Sequence, residues 1–515
     1  MPDHKHTVTD HIRLLSLPLL LFLCGMVHVK LYVKLAAVVC YAGYLLYRQQ
    51  RFPRKLAAPG LFYLLAIPLG ALSALCNDVG GNPDYWRGFA IATMKWMTAG
   101  AGFYLLGMAV QRVEKLRLVA TIKAFFLVNA LVSLGELVSV MIRSHRWIPY
   151  WINDSTTFGI STGDYIHGLT RDSSIANASL NLAGILFFLF RKNPVWVLLC
   201  LIIMVMCTSN FSMILLFVCL AAVVILVRDR RVKVYAVGCA VSAVLLYGFL
   251  SMQNVLYANK TINNEIEGIS SGRRSRLHAM QQHVLLDGGK GRDAEAMPTG
   301  SVDQVIADLR QISIQVREND PPKLDTGLAR EAIWNWYGVS YDSSRLGISG
   351  IPGKLYALLQ TGSYMISSPG RLLLGAGPGN FSSNLAIKMT GAGIHGSYPP
   401  DQIYVHHDFL EHHLYIWMYV YAHTREFQSV TQMPASVYSQ LGGEYGIIGL
   451  GLFFILYIGY FLKRYRFGRM PLILTGMLMG YFFVDYWFEM ISLTVLFELF
   501  MLADLFPRYN PRKIR

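Results

Sequence analysis

The chain has 515 residues, of which 54% are hydrophobic and only 15% charged, with a mean hydropathy of +0.38. A soluble protein of this size needs about 25% charged residues for its surface, so a soluble globular enzyme is excluded and lipid is the expected solvent. The formal net charge of +15 does not argue for nucleic acid, because the basic residues stand in short clusters between apolar runs, where a membrane protein keeps its topology signal.

Residues 1–13 are polar and His-containing, and no small-residue cleavage site follows the first apolar run, which is therefore expected to be an uncleaved span rather than a signal peptide. Runs suited to crossing about 30 Å of hydrocarbon at about 1.5 Å per residue lie at 14–29, 31–47, 61–76, 89–110 and 118–141, then at 175–190, 195–207, 211–227 and 234–252, and finally at 445–462, 472–488 and 490–506. The expected fold is an all-α polytopic membrane protein of about twelve transmembrane helices, nine before a large loop and three after it.

Alternate loops carry the cations: Arg48, Arg51, Arg54 and Lys55; Arg112, Lys115 and Arg117; Arg191 and Lys192; Arg228, Arg230, Arg231 and Lys233; Lys463, Arg464, Arg466 and Arg469; and Arg508, Arg512, Lys513 and Arg515. They share one side if the N-terminus is cytoplasmic. Three regions result: spans one to nine in 1–252, with an outside loop at 142–174; a large outside loop or lid at 253–444; and spans ten to twelve with a basic cytoplasmic tail in 445–515. Within the lid, helices are expected at 302–316 and 327–336. The aromatic and His-rich stretch 402–423 suits a helix lying in the headgroup layer. The seven cysteines all fall in or beside apolar runs and none lies in the lid, which leaves no disulfide framework.

Useful chemistry on the outer side needs charge there. Arg171, in GLTRDSSIANASLNLAG, faces an anionic headgroup or is an ordinary interfacial arginine. Lys354 precedes an apolar-periodic helix that ends at the Gly375, Gly377 and Gly379 turn. Those glycines either present N–H groups to phosphate as a nest or only re-aim the chain; the absence of a preceding strand and of GK[ST] excludes a nucleotide site. In TQMPASVYSQLGGEYGIIGLGLFF, Pro434 and Ser436 lead into a short helix expected to break at Gly442 and Gly443, with Glu444 either a general base for an alcohol or a helix N-terminal acid. His406, His407, His412 and His413, with Asp408 and Glu411, offer zinc ligands, although the flanking aromatics already explain the segment as interfacial. Lys95, Lys123, Glu136, Asp485 and Glu498 fall inside spans, where charge is costly and functional candidates concentrate.

Three segments, TRDSS around Arg171, SPGRLLLGAGPGNFSSNLA after Lys354, and PASVYSQLGGEYGIIG, in this order among this many spans, resemble the bacterial O-antigen ligase and polymerase superfamily, the last two particularly the envelope polymerases of Bacteroidetes-type bacteria. The resemblance implies a GT-C-like glycosyltransferase of the bacterial inner membrane, with both termini cytoplasmic. Its implied donor is an undecaprenyl-pyrophosphate-linked glycan, its acceptor a sugar hydroxyl, and a chain-length regulator a further partner; no cofactor and no metal are implied. Arg171 and Lys354 would then neutralise the leaving pyrophosphate, Glu444 would orient or deprotonate the acceptor, and Arg276, Arg345, Asn380, Ser436 and Tyr438 would contact substrate.

The chain departs from that family in places. Ala435 and Ser436 stand where ligases carry a His-Asn pair, which favours a polymerase over a ligase acting on lipid A core. Thr208, Ser209, Asn210 and Phe211 replace a Ser-x-Ser-Arg turn, and Lys354 replaces the second family arginine. A lipid-linked oligosaccharide flippase is the reading from another class, but carriers usually have two similar halves and a nine-plus-three chain does not.

Overall fold

The computed structural model describes residues 15–49, 57–77, 79–145, 147, 165–250, 353–391, 397–399, 402–414, 416–417, 430–463 and 469–505. Arg276, Arg345, the helices expected at 302–316 and 327–336, and the tail at 508–515 lie outside the described residues.

Among the described residues all regular structure is helical. The first group comprises α1 (Leu17–Val27), α2 (Leu31–Tyr47), α3 (Ala58–Cys76), α4 (Pro83–Arg112), α5 (Lys115–Ser144), α6 (Ser174–Phe190), α7 (Pro194–Met206), α8 (Asn210–Leu226) and α9 (Arg230–Leu250). Then come α10 (Gly353–Ile366), α11 (Pro369–Leu374), α12 (Asn384–Met389) and α13 (His407–Phe409), followed by α14 (Val437–Leu452), α15 (Met470–Phe482), α16 (Trp487–Met490) and α17 (Ser492–Leu505). Four helices, α3, α5, α9 and the composite Val437–Leu462 that begins with α14, are long and apolar enough to cross a membrane; α1, α2, α6, α7, α8 and α15 are apolar but shorter.

Outward faces confirm the solvent. Val234, Val237, Val241 and Val244 of α9 are each more than half exposed, as are Leu64 and Leu75 of α3 and Ile214 and Val218 of α8. Rows of this kind at helical spacing cover a surface only where hydrocarbon replaces water. The chain is thus a membrane protein, its regular structure helical throughout the described residues.

The centre of the bundle is α6, whose residues from Ser174 to Leu189 are buried apart from Ile175, and α17 packs against it, with α4 and α15 alongside. Short connections make neighbours antiparallel: α4 and α5 are separated by Val113 and Glu114, and α6 and α7 by Arg191, Lys192 and Asn193. Proline sits at the start of α3, α4, α7 and α15, where its missing N–H has no intrahelical acceptor to lose.

The last third departs from the expected spans. The helix expected from 445 begins at Val437 and runs through Gly442 and Gly443 without a break; the non-helical residue is Gly446 (φ 62°, ψ −164°). Only glycine occupies that region readily, and an added Cβ there would collide with the Leu373 carbonyl. Gly443 is small for another reason: the Phe381 ring fills the place its Cβ would take. The span expected at 472–488 is shortened, since α15 ends at Phe482 and the single turn α16 follows, while the span expected at 490–506 is found as α17, which starts just after the left-handed Ile491 (φ 65°). The expected headgroup-layer helix also looks different where it is described. α13 passes into a π-helical turn, Leu410–Leu414, and Phe409, Leu410, Leu414, Ile416 and Trp417 are buried, because Phe381 and the Ala357 face of α10 offer them an apolar wall.

Gly446→Ala is expected to destabilise the protein by about 1–3 kcal/mol. Thermal unfolding in detergent reads this as a lowered midpoint, with Gly451→Ala, where an added Cβ meets nothing within 4 Å, as the control that holds or slightly gains stability.

Candidate functional site

The turn Gly168–Thr170 and Arg171 join the preceding loop to α6. Arg171 is left-handed (φ 53°), and Ser173 caps α6 by accepting from the Ala176 N–H at 3.2 Å. The turn is fixed from α5: Glu136 accepts from the Gly168 N–H at 2.7 Å and Asn129 from the Leu169 N–H at 3.0 Å. Arg171 pairs with Glu136 at 3.0 Å through a half-exposed side chain, a position at which such a pair contributes at most about 1 kcal/mol. Arg171 thus stands at the rim of the bundle with most of its guanidinium open.

Lys354 is placed otherwise. It is buried, and its ammonium donates to the Ala435 carbonyl and to the Val484 carbonyl, the latter at 2.8 Å. Burial lowers its pKa, and Asp485 nearby opposes that shift. Lys354 is a strut between the approach to α14 and the end of α15 rather than a free cation.

Gly375, Gly377 and Gly379 have φ of 69°, 91° and 79°, and the turn they make lies directly on α14. Ala376 N–H donates to Gly443 O at 2.8 Å and Gly377 N–H to Glu444 O at 3.0 Å, while Asn77 and Ser73 of α3 hold the Gly375 carbonyl at 2.8 and 3.1 Å. The Glu444 side chain meets the Gly379 and Phe381 N–H groups and the Ser383 hydroxyl. The glycine turn therefore docks on the α14 backbone at Gly443 and Glu444, with the Glu444 side chain beside it. Glu444 is 1% exposed, and its Oε1 accepts no hydrogen bond. Buried polar atoms without a partner are rare enough to require an explanation.

The remaining expected contacts have structural partners. Asn380 donates to Ala376 O at 2.8 Å and accepts from Tyr404 at 3.0 Å, which closes the turn. Ser436 caps α14 through the Tyr438 N–H at 3.1 Å, and Tyr438 donates to Met479 O at 2.8 Å. The geometry brings Asn380 and Glu444 together, ties Lys354 to Ser436 through the intervening Ala435, and leaves Arg171 at the rim.

Several residues that bear on the site were not legible as candidates. Glu489, in the turn between α15 and α17, pairs with Lys95 of α4 and accepts from Gln440 at 2.8 Å and from the Asn384 N–H at 3.0 Å. Lys34 of α2 is buried and donates to Met26 O at 2.8 Å and Met490 O at 2.6 Å. Lys388, at the end of α12, lies within electrostatic reach of Lys95, Glu489, Asp172 and Lys30, and Asp485 within reach of Asp172, Lys354 and Glu489. Of these residues, only Lys95 and Asp485 showed themselves in the sequence, as charges inside apolar runs.

Elsewhere, Lys123 sits over the Trp196 ring at 5.7 Å, and Glu498 accepts from Tyr63 at 2.5 Å and Tyr457 at 3.0 Å inside an aromatic cluster. The histidines do not converge: His407 pairs with Glu411, His412 faces the Asp408 carbonyl, His413 faces Thr361, and Asp408 is taken up by Arg371 at 2.9 Å and Tyr364 at 2.8 Å. Among the described residues no three His, Cys, Asp or Glu side chains stand close enough to hold a metal ion.

Fold and site together define an all-helical membrane protein with a buried ionic cluster at one end of its bundle. Comparison of the chain with family models, with curated proteins and with solved structures finds no match.

The buried histidines set a pH dependence. Burial lowers the pKa of His406 to about 4 and that of His413 to about 3, whereas both protonate near pH 6.5 once unfolded. The unfolded state then binds more protons, so stability falls as the pH drops below about 6.5, by about 1.4 kcal/mol per pH unit for each histidine until its folded pKa is reached. Unfolding midpoints in detergent between pH 7 and pH 4.5 should show this decline, and His406→Gln with His413→Gln should flatten it.

Proposed function

We propose that this chain is a polysaccharide polymerase of the bacterial inner membrane, a GT-C-like glycosyltransferase of about twelve spans with both termini cytoplasmic. It transfers an undecaprenyl-pyrophosphate-linked glycan onto an acceptor sugar hydroxyl at the outer face of the membrane. One observation carries this reading. The three segments that resemble the O-antigen ligase and polymerase superfamily, far apart in the sequence, meet at one end of the bundle: the glycine turn docks on the Glu444 backbone, and Asp172, next to Arg171, lies within electrostatic reach of Lys388 and Asp485. The basic clusters occupy the opposite helix ends, at 112–117, 191–192 and 228–233, which supports a cytoplasmic N-terminus by the excess of cations on that side.

The chemistry follows from the charges. Departure of a diphosphate leaves negative charge on the leaving group, and lysines fixed before the reaction stabilise it without reorganising. Glu444 is the group for the acceptor: its partnerless Oε1 takes the hydroxyl proton as the sugar oxygen attacks the anomeric carbon and the bond to the diphosphate breaks. Arg171 at the rim guides the anionic donor, and Lys354 positions the segment that bears Asp485. Ala435 and Ser436 supply no imidazole, which favours self-polymerisation over ligation.

The test is chain growth by the full-length protein in liposomes, supplied with a synthetic undecaprenyl-diphosphate repeat unit and no nucleotide. A ladder of products is expected, and Glu444→Gln should reduce its rate by about 10²–10⁴-fold. Movement of the lipid between leaflets without growth would instead make the protein a carrier.

A further inference from the structure

Lys388 occupies an unusual setting. Its backbone is held on both sides of the chain's return, since its carbonyl accepts from the Tyr398 N–H at 2.9 Å and that of Met389 from the Tyr404 N–H at 3.0 Å. Its side chain is only partly exposed, yet the ammonium forms no hydrogen bond and no ion pair among the described residues. Burial and the neighbouring charge of Lys95 both lower its pKa. Lys30, in the turn between α1 and α2, is a second partly exposed lysine, within electrostatic reach of Lys388 and likewise without an ion pair among the described residues. Lys95 is the third, with Glu489 as its counter-ion.

Bringing like charges together in a poorly solvated place raises the energy of the empty site, and an anion of charge two or more relieves it. A neutral donor stands by as well. The Tyr398 hydroxyl is buried and has no hydrogen-bond partner, and Glu489 lies within its electrostatic reach. Lysines act as point charges, which suits a tetrahedral phosphate that they can surround from different elements better than a planar carboxylate that asks for an arginine fork.

We infer that Lys30, Lys95 and Lys388, with the Tyr398 hydroxyl, form a phosphate-binding site at the junction of the α1–α2 turn, α4 and α12, and that Glu489 is the resident carboxylate an incoming diphosphate displaces from Lys95. This rests on the polymerase reading for the identity of the ligand, a diphosphate carried on a lipid, but its chemistry is that of any diphosphate. Displacement would leave Glu489 with Gln440 and the Asn384 N–H, one helical turn along α14 from Glu444, so that binding of the donor is communicated to the residue proposed to activate the acceptor.

The experiment is equilibrium binding to the full-length protein in detergent, using farnesyl diphosphate and inorganic pyrophosphate as probes. Lys388→Gln should weaken farnesyl diphosphate binding by about tenfold or more, the loss expected for one charged hydrogen bond, while Lys388→Arg retains most of it. Both variants should elute and unfold as the parent does. Tighter binding of farnesyl diphosphate than of pyrophosphate identifies a lipid headgroup, and equal binding identifies free phosphate as the ligand class; either supports the site. Unchanged affinity in Lys388→Gln and in Lys30→Gln overturns it, even if glycan growth in liposomes persists and the polymerase reading stands. Conversely, Lys388-dependent binding by a protein that grows no glycan keeps the site and removes the polymerase.

Discussion

A helix that breaks inside a bundle strands carbonyl groups with no water to receive them, and each buried orphan costs about 1–3 kcal/mol. The structure depends on how two such carbonyls are met. Between α15 and α17, which pack against each other, the chain leaves the helix, and Val484 and Met490 at the two ends of the connection are taken by ammonium groups, Lys354 for the first and Lys34 for the second. Each lysine also takes a second carbonyl, Ala435 or Met26. The cost of burying a cation and the cost of an unfinished helix end thus offset one another. The short segment 484–491 becomes a fixed object rather than a loose loop.

What that segment carries explains why the break is kept. Asp485 and Glu489 lie on it, and Glu489 gathers Lys95 from α4, Gln440 from α14 and the first N–H of α12. In this cluster the lysines Lys30, Lys34, Lys95, Lys354 and Lys388 lie among the acids Asp172, Asp485, Glu489 and Glu444.

The helices were legible because hydrocarbon imposes long apolar runs. Glu444 and the glycine turn were also visible as motifs, although their relation was not. The sequence shows glycines dense enough for a nest, but that Glu444 stands beside them depends on the docking of α14 against the turn, a tertiary contact of Ala376 and Gly377 with Gly443 and Glu444. Lys354 looked like a free cation because burial and capture by Ala435 and Val484 are tertiary facts. Lys388 and Glu489 carried no signal, since one lies on a short helix without a motif and the other falls at the boundary between two expected spans, where a lone carboxylate is unremarkable. The expected break at Gly442 and Gly443 failed for a related reason: a glycine is required by a neighbour such as Phe381 as readily as by its own backbone.

Glu444 is buried, and its Oε1 accepts no hydrogen bond, which leaves on that oxygen the lone pair that a base for an alcohol needs. Its backbone is fixed: the Gly377 N–H donates to the Glu444 carbonyl and the Ala376 N–H to that of Gly443, so that little freedom is lost when a hydroxyl arrives. The Gly379 and Phe381 N–H groups and Ser383 lie within electrostatic reach of the carboxyl and favour its charged form. The same turn that fastens α14 is held from α3 through Gly375 and Asn77, so the stability of that corner and the place of the acid rest on one set of backbone hydrogen bonds.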